Sequence, residues 1–129
     1  MNKKYEFTDE TIKIGDDTLY RIRALIDIPV IGVKVGDLGG FIEKEKNLSH
    51  EGYAWVSEDA LVSEDAWVSE NACVYGNARV SENACVYGNA QVYGNALVFG
   101  NAQVYGNACV YGNARVSENA CVYGNARVS

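Results

Sequence analysis

From Val56 to Val128 a valine stands at every sixth position without interruption, and an alanine stands two residues before each valine, from Ala54 to Ala126. The unit reads Ala-x-Val, then Ser, Tyr or Phe, then Glu-Asp, Glu-Asn or Gly-Asn. Along an extended chain, alternation sends Ala and Val to one side and x and the residue after Val to the other. Ala and Val form the core side, because x includes Arg79, Arg115, Arg127, Gln91 and Gln103, residue types rarely buried unpaired. The two remaining positions are corners: Gly accepts positive φ freely, and Asn or Asp accepts it better than other side chains. Three residues of strand and one corner at so fixed a period cannot make a hairpin meander. They make a coil, whose N–H and C=O groups pair with the coils above and below at about 4.8 Å. The corner Asn and Asp side chains then stack as a ladder.

The outward positions set the length of one turn. The x residues group as Trp55, Leu61, Trp67; Cys73, Arg79, Cys85; Gln91, Leu97, Gln103; and Cys109, Arg115, Cys121. The residues after Val group alike: Ser57, Ser63, Ser69; Tyr75, Ser81, Tyr87; Tyr93, Phe99, Tyr105; and Tyr111, Ser117, Tyr123. Each triplet has the form a, b, a, so eighteen residues make one turn of a three-sided coil. The stretch CVYGNARVSENACVYGNA, at Cys73–Ala90 and again at Cys109–Ala126, is one such turn used twice. The first and third faces are equivalent, each with a tyrosine ladder: Tyr75, Tyr93 and Tyr111 on one, Tyr87, Tyr105 and Tyr123 on the other. The middle face differs, with Phe99 at the ladder position and Leu61, Arg79, Leu97 and Arg115 in the x column.

Before the coil the chain follows another pattern. TLYRIRALIDI alternates as a strand, with Tyr20, Ile22, Ala24, Ile26 and Ile28 on one side, IGDD before it reads as a turn, and Pro29 with Gly36, Gly39 and Gly40 closes the stretch. Residues 1–53 are expected to form a small β-rich N-terminal cap and entry segment, and 54–129 the coil. A cap at that end hides backbone groups that would otherwise invite edge association. No matching cap pattern follows ARVS, so that end calls for a cover of its own.

Units such as VYGNAR and VSENAC, aliphatic first and small fifth, resemble the hexapeptide repeat of left-handed parallel β-helices, over residues 54–129. The fold this implies is all-β: a triangular left-handed parallel β-helix of about four turns with the N-terminal cap. The entry GDLGGFIEKEKNLSHEG is similar to that of poorly characterised bacterial and phage-type hexapeptide proteins labelled transferase-like or polymer-forming. The resemblance implies a homo-oligomer, a trimer above all. Enzymes of the family are acyltransferases with a histidine base between subunits, or metal-dependent hydratases that need three histidines. This chain has one, His50, the weak catalytic candidate, so an acyl-CoA-dependent trimer is the alternative to a non-catalytic module. The bulky Tyr, Phe or Ser after Val departs from the small or acidic residue common in the enzymes.

Composition narrows the function. The net charge of -6 gathers in the coil, where residues 51–129 hold three basic and eight acidic side chains. An acidic surface disfavours a phosphate backbone, so direct nucleic-acid binding is not expected. An acidic inhibitor of a host defence or nucleic-acid enzyme is a further alternative. No long apolar run or leader-like stretch appears, so no membrane association and a cytoplasmic location are expected. Cys73 and Cys109 share a face two turns apart, as do Cys85 and Cys121; that separation exceeds the roughly 7 Å reach of a disulfide, and a reducing compartment fits. No cofactor or metal is implied. Threonine ladders of the ice-binding kind are excluded, since Thr8, Thr11 and Thr18 all precede the coil. What remains is an interaction module: Tyr75, Tyr93, Tyr111, Tyr87, Tyr105, Tyr123 and Phe99 are the candidate interface residues, for copies of the chain or for another protein partner.

Overall fold

The computed structural model describes residues 3–129. Thirteen two-residue strands, from Trp55–Val56 to Arg127–Val128, succeed one another every six residues and stack in three parallel ladders. The first face stacks Trp55, Cys73, Gln91, Cys109 and Arg127. The middle face stacks Leu61, Arg79, Leu97 and Arg115, and the third Trp67, Cys85, Gln103 and Cys121. Every partner is eighteen residues on, so the protein is an all-β parallel solenoid with the turn length that the outward triplets predict. Inside, valines and alanines from Ala54 to Val110 are fully buried in a single column. Outside, burial departs from simple alternation, because Trp55 and Leu61 point outward yet are covered by the N-terminal segment.

The coil has about five turns rather than four. Its ladder begins before the first regular hexad: Phe41 and Ile42 pair in parallel with Leu61 and Val62, and Leu48 bridges Val68. Asn47 holds this irregular first turn in place of a repeat corner. Its Oδ1 accepts from the Glu43 and Lys44 N–H groups at 3.1 and 2.8 Å, and its Nδ2 donates to the Glu64 and Ala66 carbonyls at 3.1 and 2.8 Å.

The N-terminal strand β2 (Asp17–Ala24) runs antiparallel to both β1 (Tyr5–Ile14) and β3 (Leu38–Ile42), and the three extend the middle face into a seven-stranded sheet. Tyr5, Ile22, Ala24 and Ile28 pack onto the end of the Val/Ala column. Ile26 falls outside the strand and is exposed, because β2 ends at Ala24. Gly39 and Gly40 lie inside β3 instead of closing a loop, since a Cβ there would come within 2.5 Å of the Val56 carbonyl and 2.7 Å of the Ala60 carbonyl. On the outer side Leu19, Phe41 and Leu61 form a second cluster, under an Arg21 guanidinium 4.3 Å from the Phe41 ring centre.

Each corner is a four-residue turn closed by an Ala N–H to the carbonyl of the residue after Val, as in Ala60 to Ser57 at 3.2 Å. Positive φ falls on the first central residue alone, the II′ pattern that favours Gly there. It therefore falls on Gly or Glu and not, as expected, on Asn or Asp: Glu58, Glu64, Glu70, Glu82 and Glu118 all have φ near 59°. Four of these five strained glutamates have a compensating contact. The carboxylates of Glu58, Glu70 and Glu82 accept from the corner N–H one turn on, at Gly76, Gly88 and Gly100, at 2.8 to 2.9 Å.

Gly94, at φ 69°, would place a Cβ 2.8 Å from the Gly112 nitrogen. Gly94→Ala is expected to destabilise the fold by at least the roughly 1–2 kcal/mol of a left-handed Cβ. Gly94→Glu, although larger, should be about 1 kcal/mol more stable than Gly94→Ala, because its carboxylate reaches the Gly112 N–H. Urea unfolding of the two variants checks the order.

Candidate functional site

The residue after each Val leaves the strand on the outer side, and stacking at one-turn intervals places like on like. Tyr75, Tyr93 and Tyr111 stack on the first face with ring centres 4.9 and 5.4 Å apart, and Tyr87, Tyr105 and Tyr123 on the third face at 5.0 and 5.5 Å, all nearly parallel. The Tyr75 hydroxyl donates to Gln91 Oε1 at 2.9 Å and the Tyr87 hydroxyl to Gln103 Oε1 at 3.0 Å. Burial, then the neighbouring Tyr93, pushes the Tyr75 phenol up. The rings are half-buried except Tyr123, which is exposed. Six of the predicted interface residues are thus gathered into two groups of three on different faces. Phe99 joins neither; it lies half-buried on the middle face between Ser81 and Ser117.

The outward strand positions around these ladders carry no charge. Between Cys73 and Tyr123 the outward positions of the first and third faces hold only Cys, Gln and Tyr, while Arg79 and Arg115 lie on the middle face and Glu at the corners. The corner edges carry Asn ladders: Asn71, Asn89, Asn107 and Asn125 link amide to carbonyl at 3.2 to 3.4 Å. All four cysteines are free, and burial pushes the Cys73 and Cys85 thiols up, which lowers their thiolate character.

The two tryptophans, equivalent by position, differ in environment. Trp55, on the first face, is 3% exposed; Tyr5 meets it edge-on at 6.4 Å, and Ile31 and Val33 pack on its cluster. Trp67, on the third face, is 50% exposed and opens onto a cleft of about 430 Å³ that also involves Leu48, His50, Glu45, Asp65 and Cys85.

His50 is built into the packing of the first turn. Its Nδ1 accepts from the Lys4 backbone N–H at 3.0 Å, its ring stacks on Tyr5 at 4.1 Å, and its Nε2 lies 3.4 Å from Glu45 Oε1 without reaching solvent. A hydrogen bond from the Lys3 side chain, with a further contribution from His50, holds the Glu45 carboxyl below the usual range. Lys4, which sequence reasoning passed over, is buried and donates through Nζ to the carbonyls of Ala54, Gly52 and Glu51 at 2.6, 3.4 and 3.5 Å. Tyr5, equally unmarked, donates to the Leu48 and Glu45 carbonyls at 2.6 and 2.9 Å. Neither had a periodic signal to reveal it. Among the described residues no three His, Cys, Asp or Glu side chains converge as metal ligands, and no helix is long and apolar enough to cross a membrane.

Stacked two-residue strands, an interior of Val and Ala and rigid flat faces define a β-solenoid repeat protein. Its repeats are similar to the YdcK β-solenoid repeat, whose family model matches residues 72–88, 90–106 and 102–118. The first two matches begin one full turn apart. No curated protein matches the chain.

The buried pair beside His50 gives a pH signature. Burial lowers the Lys4 ammonium to about 8, against opposition from Cys73, so the folded chain binds fewer protons than the unfolded one between about 8 and the ordinary 10.5. Stability therefore gains from Lys4 as pH rises through that window. Burial, then Glu45, raises the Tyr5 phenol above its ordinary 10.0, so the stability Tyr5 contributes is full below pH 10 and is lost above it. Unfolding midpoints between pH 7 and 12 should turn downward above about pH 10, and Tyr5→Phe should flatten that alkaline limb.

Proposed function

We propose that this chain is a non-catalytic structural and protein-interaction module that associates with further copies of itself through its tyrosine-bearing faces. The observation that carries this proposal is the segregation of side chains: two flat faces bear stacked tyrosines and no charge from Cys73 to Tyr123, with the charges at the corners and on the middle face. Interface cores are depleted of charge and enriched in tyrosine, whose amphipathic ring suits a surface that is wet in one state and dry in the other. Rings already stacked in the free chain lose little freedom on contact, so little of the gain is offset by ordering. The hexapeptide resemblance favours a trimer. His50 supports the non-catalytic reading, since one ring nitrogen is taken up by the Lys4 N–H and the other is turned to Glu45.

Light scattering coupled to gel filtration tests this reading. The native chain is expected at a multiple of 14.1 kDa, and Tyr93→Lys, at the centre of its ladder, at 14.1 kDa. Phe99→Lys, on the middle face, should leave the assembly intact. A native chain that stays at 14.1 kDa removes self-association. Acetyl-coenzyme A binding that disappears in His50→Ala would overturn the non-catalytic reading.

A further inference from the structure

The column that follows Val on the first face reads Ser57, Tyr75, Tyr93, Tyr111, so the ring stack begins one rung after the first regular hexad. Trp55 and Val56 pair with Cys73 and Val74, which puts Ser57 one turn before Tyr75, at the rung where a further ring would lie. Tyr75 stacks on Tyr93 through one ring face and, among the described residues, on no aromatic ring through the other. A cavity of about 310 Å³ is lined by Tyr75 and Ser57 together, with Cys73 and Gln91 from the same face. Ile31 and Val33, from the loop that covers Trp55, line it too. That loop is held by its own hydrogen bonds: Ile28 and Val33 exchange N–H···O bonds at 2.8 and 3.1 Å, and the Val35 N–H donates to Asp27 at 2.9 Å. The cavity is thus formed before anything enters it.

We propose that this cavity binds an uncharged planar aromatic molecule of phenol or indole size, stacked on Tyr75 as an added rung of the ladder. Shape supports a flat ring. Successive rings lie 4.9 and 5.4 Å apart, so the step from Tyr75 to the Ser57 rung leaves a layer that a ring fills and a serine side chain does not. Size supports a small one, because the volume falls at the lower end of the roughly 300–1,000 Å³ of ligand pockets. Charge supports a neutral one: no charged side chain lines the cavity, and an ionic ligand would give up its water without a partner. The Tyr75 hydroxyl engages Gln91 Oε1, which leaves Gln91 Nε2 to donate to a ring substituent, and Ser57 Oγ is a second polar group on the lining. The third face does not repeat the site. Ser69 stands one turn before Tyr87 but is buried, and the cavity beside it is lined by Glu51 and Glu70 and not by Tyr87. The proposed site belongs to a single chain and does not rest on self-association.

Calorimetric titration with p-cresol, the ladder's own ring without its backbone, tests the site. The native chain is expected to bind it saturably, at one site per chain. Benzoate, of like size but charged, should bind at least about 10-fold more weakly. Tyr75→Leu should weaken p-cresol roughly 10-fold, the upper range of an aromatic stacking contact, and Tyr87→Leu, on the third face, should leave it unchanged. Ser57→Tyr supplies the absent rung from the chain itself, so it should abolish binding and melt no lower than the native chain. That melting point separates a filled cavity from a lost fold. The site is overturned by a native chain that shows no saturable binding, by benzoate that binds as tightly as p-cresol, or by an equal loss in Tyr87→Leu. It is overturned as well by a Ser57→Tyr chain that still binds p-cresol or that melts well below the native one. Light scattering of the same samples reports association separately, so either reading can fail without the other.

Discussion

Backbone N–H groups on the coil faces reach carbonyls one turn on, as Ser57 reaches Val74, Tyr75 reaches Val92 and Tyr93 reaches Val110, each at 2.9 Å. This ladder fixes the distance between successive turns, and everything else is fitted to that spacing. Interior positions must suit a narrow triangular column, which Val and Ala do. On the first and third faces Tyr lies over Tyr and at the corners Asn over Asn, so aromatic rings fall at stacking distance and Asn amides at hydrogen-bonding distance. Corner residues must turn with positive φ while a second corner lies close above, and Gly or a carboxylate-capped Glu meets both demands.

Since periodic packing comes from periodic sequence, the coil was legible before any coordinates. The Val and Ala spacing marks the interior, and the a, b, a grouping of Trp55, Leu61 and Trp67, or Cys73, Arg79 and Cys85, marks the three faces. The corner glutamates show where such legibility stops. Glu disfavours positive φ, and what compensates it is a contact with a residue eighteen positions on, visible only once the stacking is known. The first turn was less legible still. Lys4, Tyr5, Asn47 and Leu48 are held by contacts between segments with no common period, so nothing in their spacing announces that Asn47 replaces a corner or that Leu48 opens the third ladder. The contrast between Trp55 and Trp67 was hidden for the same reason, because it depends on where an aperiodic loop comes to rest.

The distribution of polar groups follows from the same geometry. Corners are the widest-exposed part of the coil and accept charge without desolvation, so the acidic excess collects along the edges. The first and third faces carry no charged side chain between Cys73 and Tyr123, while the middle face holds Arg79 and Arg115. A solenoid built this way keeps its acidic groups on its edges and uncharged side chains on its tyrosine-bearing sides.

A ladder of near-identical hexads has a difficulty of its own. Cys73–Ala90 and Cys109–Ala126 are the same sequence, and pairings displaced by one or two turns would keep Val over Val and Ala over Ala. The aperiodic first turn breaks that degeneracy. The Lys4 ammonium among the carbonyls of residues 51–54, the Tyr5 hydroxyl on Leu48 and the Asn47 amide on Glu64 and Ala66 are satisfied in one alignment only. The entry segment therefore acts as a template: it counts the first turn correctly, and each later turn inherits the count from the one beneath it. The contacts that distinguish one alignment from another are therefore stored at one end of the coil, and every later turn takes its register from the turn beneath it.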